Sequence, residues 1–224
     1  MICKICGTEE TDNPDGVCDD CKKRINALAK KIKNEKEKIF NNIRKEEVTA
    51  YIFLKTEFKK DNIISNYLFR FVFQSFYRLD GSGLSQEHKD RFFELLHEKQ
   101  DNLSEILLEL YKIKRRTKKG KHSVQFSFAT KLLHTLDNDK PILDSNVNRV
   151  LKIGETKGEK RTERINSRVK QYTILQNIIQ ELLITPEIKK LKDDFRKKFN
   201  VDNTDISDVK VLDFILWSYG DLIK

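Results

Sequence analysis

The chain has 224 residues, of which 38% are hydrophobic and 35% charged, a composition typical of a globular protein with one substantial core or two smaller lobes. No apolar run approaches the roughly 20 residues that a membrane-spanning helix requires, and Cys3 and Cys6 come before any signal-peptide pattern, so we expect a cytoplasmic protein with no membrane partner. The net charge of +9 favours a polyanionic partner, although a merely lysine-rich surface would carry the same charge.

The residue composition also predicts the fold class. The chain has eight glycines and three prolines, and it contains long stretches rich in Leu, Ile, Lys and Glu, which favour helices over strands. The sequence therefore predicts an all-α fold. We expect three parts: a small metal knuckle over residues 1–24, a connecting helix over 25–47 and a helical domain over 48–224.

All four cysteines lie within the first 21 residues, in the pairs CKIC and CDDC. Two such pairs let four thiolates converge tetrahedrally on one ion, and a glycine after the first pair permits the backbone twist of a knuckle. The predicted ligands are Cys3, Cys6, Cys18 and Cys21. Thiolate tetrahedra suit Zn²⁺, so we expect one structural zinc per chain, with iron as the alternative occupant. Basic and acidic residues are mixed around the knuckle, so contact with a polyanion stays open.

Two segments with different apolar patterns follow the knuckle. Residues 22–47 carry a narrow apolar stripe and are expected to form one long polar helix that carries the knuckle away from the core. The next segment, NYLFRFVFQSFYRL, has little polar surface, and its apolar residues are predicted to be core rather than rings that stack on nucleobases. These core residues are Leu68, Phe69, Phe71, Val72, Phe73 and Phe76.

Several helix starts can be read from capping residues. Ser85 followed by Glu87 predicts one start, Asn102 predicts another, and Thr185 before Pro186 predicts a third. The break before Ser85 is expected at residues 80–83. The C-terminal segment VLDFILWSYGDLI is predicted to form a closing amphipathic helix.

A strongly basic run, KIKRRTKKGK, spans residues 112–121 and has seven basic residues in ten with no acid. Such a run is typical of a phosphate contact, whereas the mixed lysines and glutamates of residues 22–47 are typical of a solvated helix face. The predicted DNA-binding residues are Arg115, Arg116, Lys118, Lys119, Lys121, His122 and Ser123.

The segment FSFATKLLHTLDNDKPILDSNVNRV, residues 126–150, combines a short buried helix, a turn and a second helix. Ile142 and Leu143 are expected to anchor in the core, and Asp144 lies just before the second helix. Val147, Val150 and Leu151 are expected to face inward from that helix. A carboxylate at this position can accept backbone N–H groups, which keeps it ionised. Helix capping alone is a sufficient explanation of Asp144.

The same segment resembles the catalytic region of the helix-hairpin-helix (HhH-GPD) DNA glycosylases, and PILDSNVNRVL is most similar to the adenine-DNA glycosylase branch. The resemblance implies a two-lobed helical fold with the hairpin and catalytic segment at about residues 112–151, and a target base flipped from DNA. It also implies that Asp144 is the catalytic carboxylate, which stabilises positive charge at C1′ and orients water.

The sequence departs from the family pattern at positions that decide which reaction the resemblance implies. The family's two hairpin glycines align with His122 and Val124, and the lysine nucleophile of its lyase members aligns with Phe126. The resemblance therefore implies a monofunctional DNA glycosylase, a hydrolase that removes a modified or mismatched base in DNA repair or phage defence. The alternative is a non-catalytic zinc-knuckle protein that keeps the fold to bind DNA or protein.

Three other titratable residues are weaker candidates for a role. His97 and His134 lie on largely apolar helices, and ordinary packing with one hydrogen bond is the expected explanation of each. Glu57 is a candidate for a second carboxylate by its location alone.

Overall fold

A computed structural model of the chain describes residues 1–60, 62–79, 83–114, 122–154 and 158–224. Within these ranges the chain forms eleven α-helices and no β-strand, which confirms the all-α prediction. A single antiparallel bridge joins Ile2 to Glu10. In the same ranges we find no helix that is both long enough and apolar enough to cross a membrane.

The helices, in chain order, are α1 (Asp19–Asn34), α2 (Lys36–Asn42), α3 (Lys45–Phe58), α4 (Tyr67–Phe76), α5 (Gln86–His97), α6 (Leu103–Lys112), α7 (Phe126–Leu136), α8 (Ser145–Leu151), α9 (Arg161–Ile184), α10 (Pro186–Phe199) and α11 (Asp208–Leu222).

The helix starts that the capping residues predict are confirmed. The side chain of Ser85 accepts from the N–H of His88 at the start of α5, and Asn102 accepts from two N–H groups at the start of α6. Thr185 caps α10, whose first residue is Pro186. The break expected before α5 lies mainly at residues 80–82, outside the described residues. Local hydrogen bonding therefore sets these boundaries.

The chain divides into two compact units. Unit 1 comprises Met1–Ile43, Asp144–Glu155 and Lys170–Lys224, and unit 2 comprises Arg44–Leu143 and Thr156–Val169. Unit 1 is thus built from three stretches of sequence, whereas most of unit 2 is one continuous stretch.

In unit 1, α1 packs against α10, while α2, α8 and α10 pack against α11. The apolar stripe predicted for residues 22–47 is largely buried, with Ile32 and Ile39 fully so. This segment is not the single long helix that the sequence predicts, because α1 ends before Glu35 and α2 ends before Ile43. The chain changes direction at these breaks, so that α1 packs against α10 and α2 packs against α11.

In unit 2, α3 packs against α4, and α5, α6 and α7 pack against one another. The core is rich in phenylalanine. Phe73 lies with its ring centroid 5.4 Å from that of Phe92 and 5.6 Å from that of Phe93, and Phe69 lies 6.3 Å from Phe93. Edge-to-face and tilted ring pairs at such distances add to the free energy gained by burial.

The helix α4 is amphipathic rather than buried throughout. Phe69 and Phe73 are fully buried, as predicted, but Leu68 and Phe71 are 62% and 70% exposed, so the prediction that they are core is wrong. Tyr67 is 76% exposed on the same outer surface. A helix that packs through one face buries positions four apart, such as 69 and 73, and leaves positions between them in solvent.

Candidate metal centre and the Asp144 segment

The four cysteine sulfurs form a compact cluster in unit 1. The Sγ atoms of Cys3, Cys6, Cys18 and Cys21 all lie within 4.8 Å of one another, and none of them is in a disulfide. The Sγ atoms of Cys6 and Cys18 are 3.8 Å apart. Four sulfurs bound at about 2.3 Å to one tetrahedral ion are separated by about 3.8 Å, so the cluster has the size of a thiolate cage.

The backbone around the cluster forms the knuckle that the sequence predicts. Gly7 has φ of +70°, and its N–H donates to the carbonyl of Cys3 at 2.9 Å. Only glycine adopts this left-handed conformation without steric cost. The N–H of Cys18 donates to Sγ of Cys3 at 3.4 Å. The two cysteine pairs are therefore held together by backbone contacts as well as by their sulfurs.

The thiols of the cluster differ in their electrostatic surroundings. The side chain and backbone of Thr8 hydrogen-bond to Cys6 and lower its pKa to about 6. Burial, reinforced by the neighbouring thiols, raises the pKa of Cys21 above its ordinary value. Four closely spaced thiols cannot all ionise without a cation between them, because each thiolate repels the next. The donor set thus fits a divalent metal ion that compensates this repulsion.

Lys4, between the first two cysteines, connects the knuckle to α9. The side-chain amide of Asn177 donates to the Lys4 carbonyl at 2.8 Å, and the Lys4 ammonium lies 3.4 Å from the Glu181 carboxylate. Lys22, just after the last cysteine, pairs instead with Asp15 inside the knuckle at 2.7 Å. These two lysines are thus engaged by acids of unit 1.

Asp144 lies at the head of α8, as the sequence predicts. Its Oδ1 accepts from the N–H groups of Asn146 at 2.9 Å and Val147 at 3.0 Å, and the side chain is half-buried. Ile142 and Leu143 are buried, which confirms that this segment is anchored. Two charge-assisted hydrogen bonds to one oxygen favour the ionised carboxylate.

The apolar face of α8 packs against α11. Val147, Val150 and Leu151 are buried, which confirms the predicted inward face. The guanidinium of Arg149 donates to the carbonyl of Gly220 at 2.6 Å and to the side chain of Asn146 at 2.8 Å. The cap at the start of α8 and the Arg149–Gly220 bond near its end therefore both help to hold Asp144 in place within unit 1.

The residues predicted to bind DNA fall mostly outside the described part of the chain. Those outside it are Arg115, Arg116, Lys118, Lys119 and Lys121. His122 is exposed, stacks on the ring of Tyr111 at 5.5 Å, and has its Nδ1 2.8 Å from the Tyr111 carbonyl. Ser123 accepts from the Gln125 amide at 2.8 Å. Both residues are thus engaged within unit 2.

Glu57 and His134 are both engaged by neighbouring side chains. Lys60 pairs with Glu57 and lowers its pKa, and the amide of Asn66 donates to Glu57 at 3.1 Å. His134 is fully buried and has two hydrogen-bond partners rather than the one expected, the Tyr51 hydroxyl at 3.1 Å and the Lys140 carbonyl at 2.7 Å.

His134 and Tyr51 also line a cavity of about 360 Å³ in unit 2 that the sequence did not predict. The signal for it was the spacing of Tyr51, Lys55 and Lys59 at intervals of four residues, which places one aromatic and two basic side chains on the same side of α3 and of its C-cap, Lys59. A second cavity of about 360 Å³ lies beside the exposed rings of Tyr67 and Phe71. Asp144 lines neither of these two cavities.

Comparisons of the chain with protein-family models, with curated proteins and with solved structures find no match.

Proposed function

We propose that this chain is a DNA glycosylase-like hydrolase, which cleaves the N-glycosidic bond of a modified or mismatched base flipped from DNA. The observation that supports it is the half-buried Asp144 carboxylate at the head of α8, with two N–H groups bound to one oxygen. The two-lobed glycosylase-like architecture is part of the same proposal, as is the similarity of residues 126–150 to the catalytic segment of that family.

In this mechanism Asp144 acts as a charged group rather than as a nucleophile. The N–H groups of Asn146 and Val147 stabilise its negative charge. As the glycosidic bond breaks, positive charge develops at C1′ of the sugar, and a fixed carboxylate close to it lowers the free energy of the transition state. The same carboxylate orients the water molecule that attacks C1′.

The charge of the chain favours DNA as the partner. The net charge is +9, and residues 112–121 contain seven basic residues with no acid. Basic side chains that neutralise phosphates release condensed counterions, which makes the binding strong and dependent on salt. In this proposal the basic run holds the DNA backbone while Asp144 faces the extruded nucleotide.

The knuckle holds one zinc ion with a structural function in this proposal. Four cysteine ligands leave no open coordination position for a substrate or a water molecule. The ion is therefore expected to stabilise the N-terminal part of unit 1 and to take no part in base excision.

A non-catalytic binder of DNA or protein is the second candidate, and the cap itself favours it. Asp144 accepts two hydrogen bonds from the first turn of α8, which gives the residue a structural function that needs no chemistry. Asn102 makes the same pair of bonds at the start of α6 in unit 2.

Two substitutions of Asp144 separate these functions. Asn caps helices about as well as Asp but carries no charge, whereas Ala neither caps nor carries charge. For the enzyme, Asp144→Asn abolishes the release of free base while the melting temperature and the DNA affinity stay near wild type. Asp144→Ala abolishes release and also lowers stability by about 1 kcal/mol. Asn102→Ala is the matched control, since it removes an equivalent cap and should leave base release intact.

The assay incubates the full chain with duplexes that contain uracil, oxidised, alkylated or mismatched bases, and with phage DNA that carries modified bases. Alkaline cleavage then reveals abasic sites. If wild type releases no base from this panel, the enzyme proposal is wrong and the binder remains. If Asp144→Asn retains the wild-type rate of base release, Asp144 is not the catalytic carboxylate and the proposed mechanism is wrong.

A further inference from the structure

We propose that a basic face at the start of α9, in unit 2, binds the phosphate backbone of duplex DNA. The face comprises Lys160, Arg161, Arg164 and Arg168. It is a different part of the chain from the DNA-binding residues that the sequence predicts and from the Asp144 cap. The inference rests on the proposed function for the identity of the partner, DNA, but not for the reaction.

Almost all of the net charge of the chain belongs to unit 2. This unit contains 24 basic and 16 acidic residues, whereas unit 1 contains 20 basic and 19 acidic ones. A surplus of positive charge in one unit attracts a polyanion to that unit, because the potentials of neighbouring charges add. The run at residues 112–121 supplies part of the surplus, and the start of α9 supplies another part.

The residues of the basic face lie close together. Arg161, Arg164 and Arg168 are spaced by three and four residues, so they share one side of α9. Lys160 directly precedes the helix. Lys160, Arg161 and Arg164 are exposed, and Arg168 is half-buried. Most of the face is therefore open to a large partner.

The length of the face suits a row of phosphates. At 1.5 Å per residue, Arg161 and Arg168 are about 10 Å apart along the helix axis. Phosphates of one DNA strand follow one another about every 3.4 Å along the duplex axis. Each guanidinium presents a planar fork of donors that fits two oxygens of one phosphate. A linear array of anions matches this face better than a single small anion does.

The acidic residue within this stretch does not neutralise the face. The carboxylate of Glu163 accepts from the backbone N–H groups of Glu159 at 3.1 Å and Lys160 at 3.4 Å, so it is bound at the start of the helix. Among the described residues, Lys160, Arg161 and Arg164 form no ion pair. Their charges are therefore compensated only by solvent and by mobile ions.

The turn before α9 holds Arg164 in position. Gly158 has φ of +133° and passes so close to the helix that a Cβ there would lie 2.7 Å from Cβ of Glu163. Its carbonyl accepts from Nε of Arg164 at 3.1 Å. That bond uses one of the five N–H donors of the guanidinium and leaves those on the two Nη atoms for a phosphate. Little side-chain freedom is then lost on binding.

Helix stability does not explain basic residues at this end of α9. The first turn of a helix carries a partial positive charge, which favours acidic side chains and opposes basic ones. α1 and α10 follow this rule, with acidic residues in their first turns and basic residues in their last turns. In α9, Arg161 and Arg164 lie at the start, and the last turn has no basic residue. Bound phosphates would offset this repulsion.

Arg168 connects the basic face to the start of α7. Its guanidinium lies 5.1 Å from the centroid of the ring of Phe126, the first residue of α7. The attraction between a cation and an aromatic ring helps to hold this contact. His122 and Ser123, which the sequence predicts to bind DNA, precede Phe126 by four and three residues. The basic face therefore continues, within unit 2, the surface expected to meet DNA.

Fluorescence anisotropy of the full chain with an unmodified DNA duplex, at several salt concentrations, tests the proposal. The triple variant Lys160→Ala, Arg161→Ala and Arg164→Ala is expected to weaken binding at least about tenfold, and to lower the slope of log K against log salt by about 0.9 for each lost phosphate contact. The control replaces Lys30, Lys31 and Lys33, which are exposed on α1 in unit 1, by alanine. It removes the same charge and should change the affinity by less than about twofold.

A single position separates loss of the contact from loss of the fold. Arg161 is exposed and has no hydrogen bond to a described residue, so Arg161→Ala should melt at the wild-type temperature. It is expected to weaken DNA binding at least about threefold and to lower the salt slope by about 0.9. Arg161→Lys keeps the charge and should keep the wild-type slope.

Three results would overturn the proposal: wild type that does not bind the duplex, a triple variant that binds as wild type does, and an equal loss of affinity in the α1 control. Polyglutamate that competes as well as DNA at equal charge would also overturn it, since the face would then attract any polyanion. Base release is measured on the same preparations. If wild type releases no base but the triple variant still loses DNA affinity, base excision fails and the contact stands.

Discussion

Gly220 of α11 lies directly against the backbone of Asn146 in α8. A Cβ atom at position 220 would lie at or within 3.0 Å of the carbonyl oxygen, the carbonyl carbon and the Cα of Asn146. Backbone atoms cannot move aside as the end of a flexible side chain can. The two helices therefore approach as closely as they do because position 220 has no side chain, and this close approach sets the position of the helix that Asp144 caps.

Replacing Gly220 by alanine is expected to destabilise unit 1 strongly. The added methyl group must push α8 away from α11 and strain the bond from Arg149 to the Gly220 carbonyl, at a cost of about 3 kcal/mol or more. Gly154→Ala is the control, since nothing lies within 4 Å of a Cβ there, and it should change stability by less than about 0.5 kcal/mol. Urea denaturation measures both. Equal stability of the two variants would contradict the close approach of the helices.

Two phenylalanines of α4 are expected to respond in opposite ways to truncation. Phe73 is fully buried and packs against several rings, so Phe73→Ala should lower the free energy of unfolding by about 3–5 kcal/mol. Phe71 is 70% exposed, and Phe71→Ala should lower it by less than about 0.5 kcal/mol. Thermal melting of both variants checks this, and a large loss from Phe71→Ala would place that ring in a core.

The aromatic segment shows how far sequence alone could predict this fold. The all-α class followed from composition, and the starts of α5, α6 and α10 followed from capping residues such as Ser85 and Asn102, because these act through local hydrogen bonds. The buried face of α4 did not follow. Apolar residues occur on every side of α4 in the sequence. Their spacing could therefore not show that Phe69 and Phe73 would be buried while Phe71 would stay exposed.

The ion pairs of Asp194 predict a pH-dependent contribution to stability. Its carboxylate lies 2.9 Å from the Lys190 ammonium and 3.2 Å from that of Lys36, and these ion pairs lower its pKa below the ordinary value of 3.8. Because the folded-state pKa is the lower one, the contribution is complete above the ordinary pKa and disappears as the pH falls below it, through the folded-state pKa.

Asp194→Asn is therefore expected to cost about 0.5–1 kcal/mol at pH 7 and progressively less below pH 4. The matched control is Asp193→Asn, because the neighbouring Asp193 is exposed and makes no ion pair among the described residues. It should have little effect at either pH. Urea denaturation at pH 7 and pH 3 gives both differences, and a pH-independent loss for Asp194→Asn would show that its ion pairs are not the cause.

Chelation tests the metal centre. Elemental analysis of the purified chain should find about one zinc per chain. Its removal should lower the melting temperature, because the zinc–thiolate bonds that hold the knuckle are lost and the remaining thiolates repel one another. Lys4→Ala is the control, since it breaks the ion pair with Glu181 but leaves all four ligands. It should keep the metal. A metal-free chain with an unchanged melting temperature would exclude a structural ion.

The basic run predicts the salt dependence of DNA binding. Replacing Arg115, Arg116, Lys118 and Lys119 by alanine should flatten the slope of log K against log salt by up to about 0.9 for each phosphate that the variant no longer neutralises. The control replaces Lys30, Lys31 and Lys33, which are exposed on α1, by alanine, because it removes nearly the same charge from another part of the chain. Fluorescence anisotropy at several salt concentrations measures the slopes. An unchanged slope in the first variant would exclude residues 115–119 as the DNA-binding segment.

The candidate sites differ in how much of them the sequence could predict. The thiol cluster followed from spacing alone, since two short cysteine pairs can meet only around one point. The capping position of Asp144 followed from Pro141 and the helical pattern after it. The cavity that Tyr51 and His134 line did not follow, because Lys99, which also lines it, comes close to Lys55 and Lys59 only through the tertiary packing of unit 2.

The order of segments in unit 1 has a consequence for synthesis in the cell. The ribosome releases α1 long before α10, which packs against α1 but begins only at Pro186. Residues 44–143, by contrast, leave the exit tunnel together and can fold during translation. Until α10 has left the ribosome, the nascent chain exposes apolar residues of α1 such as Ile25 and Ile32 to other proteins, so we expect chaperones to bind the nascent chain at α1.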